Sequence, residues 1–225
     1  MHFNNMKIST RLMLGFGILT LLIVLMGAIS IVKASFVGEA FDKVVNDRYA
    51  KIATLNTIKE DMNLMARSLR NALIMNDPAE IRAEIDKVET VRKGVAEQWA
   101  VMHQKVRSAD GKALLAKAEE ARGLYVPVHQ KFVALIGEGK SNEAKTLLLN
   151  ELRPAQQVYF TAVDALVAHQ KEAMDTDARQ TASDIAGMKV LMWGGAAVAL
   201  LIAVLMAVWI IRAITRPLDQ AVSIA

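Results

Sequence analysis

The sequence contains no cysteine, only 4 prolines, and 5% aromatic residues in 225. Without cysteine there is no disulfide framework, no thiolate metal site and no CxxCH haem attachment. The scarcity of proline, together with just 12 glycines, disfavours a turn-rich sheet protein and suits long helices. Charge of one sign is missing as well. The formal net charge is +4, and the interval from Lys33 to Lys189 holds 23 basic and 22 acidic residues. The excess sits at Lys7, Arg11, Arg212 and Arg216, beside two apolar runs. It is therefore a topology signal, and no nucleic-acid partner is expected.

Apolar length is abundant. The chain is 53% hydrophobic with a mean hydropathy of +0.27, yet 22% of its residues are charged. These facts agree if the apolar residues are gathered into spans with the charges between them. Val190 to Ile211 runs for 22 residues without a charge. That is about 33 Å of helix, against a hydrocarbon core of about 30 Å. Trp193 and Trp209 stand near its two ends, where an aromatic belt belongs. Leu12 to Val32 is a second uncharged run. Its length exceeds the roughly 7–15 apolar residues of a signal peptide, and Ala28-Ile29-Ser30 is a poor cleavage match, so an uncleaved span is expected. The resulting organisation is a cytoplasmic start (1–11), a first span (12–32), an outer domain (33–189), a second span (190–211) and a cytoplasmic continuation (212–225).

The outer segment reads as helices throughout. Leu55, Ile58, Met62, Met65, Leu69 and Ala72 recur at spacings of three and four and form one apolar stripe. Nothing breaks the path from Ile31 to Met75, so the first helix is expected to continue the first span. Asn76-Asp77-Pro78 supplies a turn, with Asp77 as N-cap and Pro78 at the first helical position. A second helix follows to about Val106. Ser108 to Gly111 is expected to be a break, with a third helix from about Lys112 to Ile136, irregular at Pro127. Gly137 to Lys140 ends it, Ser141 is expected to cap a short separate helix to Leu149, and a fourth helix is expected after Pro154. This predicts an all-α, antiparallel up-down four-helix bundle continuous with two transmembrane helices.

Three stretches carry a family resemblance. MKISTRLMLGFGILTLLIVLMGAISI, GEGKSNEAKTLLLNELRPAQQVYFTAVDALV and IIRAITRPLDQAVSIA resemble, in turn, the first span, the junction of third and fourth sensor helices, and the entry into a HAMP linker of bacterial methyl-accepting chemotaxis receptors. The resemblance covers essentially the whole chain. It implies a periplasmic sensor in the inner membrane, homodimeric through its first helices, feeding a cytoplasmic chemotaxis kinase and coupling protein through parts that lie beyond Ala225. The same sensor type also precedes histidine kinases and diguanylate cyclases, which remain the alternative output. Leu64, Arg67, Asn71 and Ile74 gather on the first helix roughly opposite the Leu55–Ala72 stripe, a second face for a second copy.

In the aspartate-receptor branch of that family, arginines of the first helix hold ligand carboxylates and the fourth helix completes the pocket. The matching positions are Arg67 and Arg70, with Tyr159, Phe160 and Thr161, each set expected about 8 Å below the outer tip. Arginine's planar fork suits a carboxylate. A second pocket is expected inside one bundle, near Arg82, Arg92, Tyr125 and His129. Both favour a small anionic ligand such as a dicarboxylate, an aromatic acid or an amino acid. No zinc-hydrolase, P-loop or nucleophile-elbow motif is present, and His103, His129 and His169 have no partner ligand at i+3 or i+4. Neither catalysis, a cofactor nor a metal is expected.

Overall fold

A computed structural model describes residues 8–222 of the chain. The charges at Lys7, Arg11, Arg216 and Asp219 lie outside the described residues or side chains, while the backbone at Pro217, the expected entry into the linker, is helical within α6. The order of elements is α1 (Ile8–Asp42), a π-helical segment (Lys43–Tyr49), α2 (Ala50–Ile74), α3 (Pro78–Lys105), α4 (Ala109–Gly137), α5 (Ser141–Leu147), a second π-helical segment (Leu148–Leu152) and α6 (Arg153–Val222). No strand occurs among the described residues. Because the π segments join their neighbours without a gap, four long helices result, as an all-α antiparallel bundle requires.

The chain forms two compact units, one of residues up to Phe41 and from Arg179 onward, the other of Asp42–Ala178. In the second unit the stripe on α2 is wholly interior: Leu55, Ile58 and Met62 are sealed from solvent, and Met65, Leu69 and Ala72 nearly so. It meets Val88, Val95, Trp99 and Met102 of α3, and a three-and-four series on α4 from Leu115 through Tyr125 to Ile136. From α6 come Tyr159, Val163 and Leu166. Each such side chain contributes about 1.5–3 kcal/mol of burial, so it is the matching of stripes that chooses the bundle. In the first unit the apolar side chains are outward: Met13, Phe16, Val190 and Trp193 are all more than 60% exposed. Two helices here are long and apolar enough to cross a membrane, and hardly any of their most apolar stretches is covered by protein. That is not the pattern of a soluble core helix.

The turns follow local chemistry. Asp77 Oδ1 accepts from the Ala79 amide at 2.8 Å, capping α3 with Pro78 in its first turn. Asp77→Ala should lower stability by about 1 kcal/mol, measurable as an earlier thermal midpoint, with Asp77→Asn close to wild type. Gly139 has φ of 74°. Its amide bonds to Ile136 O at 3.0 Å and the Lys140 amide bonds to Leu135 O at 2.9 Å, the pair of bonds of a Schellman ending to α4.

Three expectations need correction. The break expected at Ser108–Gly111 falls earlier, at residues 106–108: α4 begins at Ala109, and Ser108 Oγ accepts from the Gly111 amide at 3.2 Å. The glycine is tolerated there because a Cβ would stand 2.6 Å from that hydroxyl. Ser141 is not a cap but the first residue of α5, which Lys140 precedes without a side-chain capping bond. Pro154 does not start the fourth helix, which runs from Ser141 through the π segment into α6. Proline lacks the amide of a regular helical bond, and the wider π winding just ahead of it absorbs that loss. Pro127, likewise, lies inside the unbroken span of α4.

Candidate functional site

A groove of about 450 Å³ with mostly polar walls lies between α2 and the start of α6, floored by Leu69, Tyr125, Leu148 and Leu152. Lys59, Asn63 and Arg70 line it from α2, and Arg153, Gln156, Gln157, Phe160 and Asp164 from α6. These are two polar stripes at helical spacing on facing helices. Lys59 and Arg70 are eleven residues apart, about 16 Å along the helix. Lys59 pairs with Asp164 at one end. At the other, Arg70 donates Nε to Ala66 O at 3.0 Å, while neither Arg70 nor Arg153 has a carboxylate partner among the described residues. Two guanidinium groups at one end, amides along the wall and an aromatic ring make a surface suited to an anion with an apolar body.

The five residues singled out from sequence do not converge. Arg70 and Phe160 share the groove. Tyr159, 2% exposed, is in the core, and its hydroxyl accepts from Trp99 Nε1 at 2.6 Å. Thr161 is exposed, returns its hydroxyl to Gln157 O at 3.0 Å, and faces a different, apolar groove with Leu124 and Val158. Arg67 is exposed and lines none of these. At 100° per residue, three consecutive positions must point three ways. The shared depth of about 8 Å also changes: with the fourth helix beginning at Ser141, Tyr159 is about 27 Å along it. Lys59, Asn63, Arg153 and Gln156 were not singled out, although their three-and-four spacing on the two helices was a readable signal.

The pocket expected inside the bundle is small. A cavity of about 50 Å³ brings Arg92, Tyr125 and His129 together with Arg122 and Tyr159, without Arg82. Its rings form a ladder across three helices. Trp99 stacks on Tyr159 at 6.1 Å, Tyr159 meets Tyr125 at 5.7 Å, and Tyr125 meets His129 at 5.5 Å. Burial pushes the Tyr159 hydroxyl up to about 12, against the bond from Trp99, which favours the charged form. Burial also drives His129 down to about 4, Glu89 opposing and Arg92 adding to the shift. His129 Nε2 has no hydrogen-bond partner there. Glu89 itself is held below the usual carboxylate range, chiefly by its bond from Arg92 at 2.8 Å. Among the described residues no cluster of side chains could hold a metal ion.

The Asp42–Ala178 unit is thus an all-α bundle with a polar groove between its first and fourth helices. The chain belongs to the family of four-helix-bundle sensory modules for signal transduction, of the methyl-accepting chemotaxis receptor type, whose model matches residues 5–184. The match takes in the first apolar run and the whole Asp42–Ala178 unit. A search of curated proteins found no match to the chain. The family is one of sensory, not catalytic, modules.

Proposed function

We propose that the chain is the sensing part of a transmembrane chemoreceptor of the bacterial inner membrane, with the bundle in the periplasm and no enzymatic activity of its own. The observation that carries this is the groove between the first and fourth helices, with Arg70 and Arg153 at one end and no carboxylate paired to either among the described residues. Its input is a small anionic ligand: a dicarboxylate, an aromatic acid or an amino acid. The carboxylate meets Arg70 and Arg153, while Phe160 and the leucine floor take the apolar part. The receptor acts as a homodimer, for which Leu64, Arg67, Asn71 and Ile74 offer an outward face on α2; Ile74 is 77% exposed. Its output passes along α6 into a HAMP linker and on to a cytoplasmic kinase and coupling protein.

A ligand touching both helices favours whichever relative position lets both walls reach it, and only that difference in affinity drives signalling. Calorimetry on the chain in nanodiscs, against a panel of the three acid classes, tests the reading. A charged hydrogen bond is worth about 1.5–3 kcal/mol, so Arg70→Ala should weaken binding roughly ten- to a hundredfold, and Arg153→Ala similarly. Binding that survives both substitutions would remove the groove as the site. If Arg67→Ala instead abolishes it, the site lies on the outward face of α2.

A further inference from the structure

Near the opposite end of the Asp42–Ala178 unit from the groove, α1 gives way to π winding over Lys43–Tyr49. A single carboxylate on α6 faces this segment. Asp177 Oδ1 accepts from Lys43 Nζ at 2.8 Å, and its Oδ2 accepts from Arg48 Nε at 2.9 Å. Asp47, in the same segment, takes Lys51 Nζ at 2.7 Å and stands 4.0 Å from Arg48. Lys51 is only 4% exposed, and the Arg48 and Asp177 side chains are about one-fifth exposed. The Arg48–Asp177 pair is therefore partly withdrawn from water, where pairing is stronger than at an open surface, while Lys43 is half exposed.

The spacing of the two cations is the informative detail. Lys43 and Arg48 are five residues apart. In an α-helix that separation turns them about 140° from one another, so that both could reach one carboxylate on a neighbouring helix only by wrapping their side chains round the helix. The i→i+5 bonding of a π segment places such residues roughly one turn above each other. The double grip of Asp177 is thus favoured by π winding over α winding. Relaxing one π turn to α returns one residue to the helix, about 1.5 Å of length and about 100° of rotation.

We infer that Asp177, Lys43 and Arg48 form a clasp that holds the first helix in its π register against the fourth, and that releasing the clasp lets the first helix advance by one residue. The clasp gives the bundle two discrete states at its base, independent of which ligand the groove takes. By contrast Lys59–Asp164, which also joins these two helices, lies where both are α-wound, and ties no winding state.

The absence of cysteine makes the test direct. Nitroxides are placed on the chain in nanodiscs through Glu39→Cys and Asn56→Cys, two exposed positions on either side of the π segment, and their separation is read by pulsed electron spin resonance. Asp177→Asn should lengthen it by about 1.5 Å, and Arg48→Gln, which spares the Lys43 contact, should populate the longer distance in part. Asp164→Asn should leave it unchanged, which separates a register lock from mere loss of an interhelical ion pair. Circular dichroism identifies the variants that remain folded. An unchanged distance in Arg48→Gln and in Asp177→Asn, or an equal change in Asp164→Asn, overturns the inference.

Discussion

The bundle should lose stability on mild acidification, and His129 should be the reason. Its imidazole is 2% exposed and Nε2 is unpartnered, so burial keeps it neutral and lowers it from the ordinary 6.5 to about 4. In the unfolded chain it takes up a proton near 6.5, while in the folded chain it resists until about 4. The stabilisation is therefore whole above pH 6.5 and is drained as pH falls through that window to 4. At about 1.4 kcal/mol per unit the loss approaches 3 kcal/mol, a large part of a typical domain's stability. Glu89 and Asp177 fail lower down. Asp177 is partly buried, which opposes ionisation, but its bonds from Lys43 and Arg48 win and hold it below 3.8. Urea midpoints measured from pH 7 to 4 should fall steeply in the native chain and far less in His129→Leu. At pH 7 that variant should be no less stable, because it removes a buried acceptor with no donor. An equal slope in both proteins would mean that the carboxylates, not His129, set the acid response.

Trp99→Ala should be the most damaging single truncation in the bundle. Trp99 is 1% exposed and reaches across from α3 to α6, where its indole donates to Tyr159 at 2.6 Å and stacks on its ring. Arg122 stands 6.0 Å over the indole from α4. Removing the ring opens a cavity and leaves the Tyr159 hydroxyl without its donor, for about 3–5 kcal/mol. Tyr159→Phe isolates the polar part, since only the acceptor is lost and the indole N–H stays buried, at about 1–3 kcal/mol. Thermal unfolding of both would check the ordering. A Tyr159→Phe variant as damaged as Trp99→Ala would show that the hydrogen bond outweighs the packing.

Much of the helical architecture could be read from residue order because its causes are local. The Leu55–Ala72 stripe marks its buried face by spacing alone, Asp77-Pro78 carries its own cap, and Gly139 its own left-handed turn. Helix starts were less legible. Ser108-Ala109-Asp110-Gly111 reads as loop chemistry, yet serine at the cap and an acid in the first turn serve a helix start equally well. Pro154 reads as a stop, since the π winding that accommodates it is not written in any one residue. Adjacent glycines differ in a way that residue order does not show: a Cβ on Gly195 would meet Met26 Cε at 3.1 Å, while one on Gly194 would meet nothing within 4 Å.

By itself, then, the sequence determined that the chain is all-α, that two runs are long enough to span a bilayer, and which stripe of the first bundle helix turns inward. Periodicity and length carry those facts, and both are properties of a segment alone. Only the tertiary structure decided which polar residues share a surface. Arg70 and Phe160 meet in one groove while Tyr159 and Thr161 turn away from it, because that depends on the axial register of two helices and on the phase at which each enters the bundle. The π segments reset that phase by a residue. Where Asp177 meets Lys43 and Arg48 at once, the partners lie more than a hundred positions apart, and no local pattern brings them together.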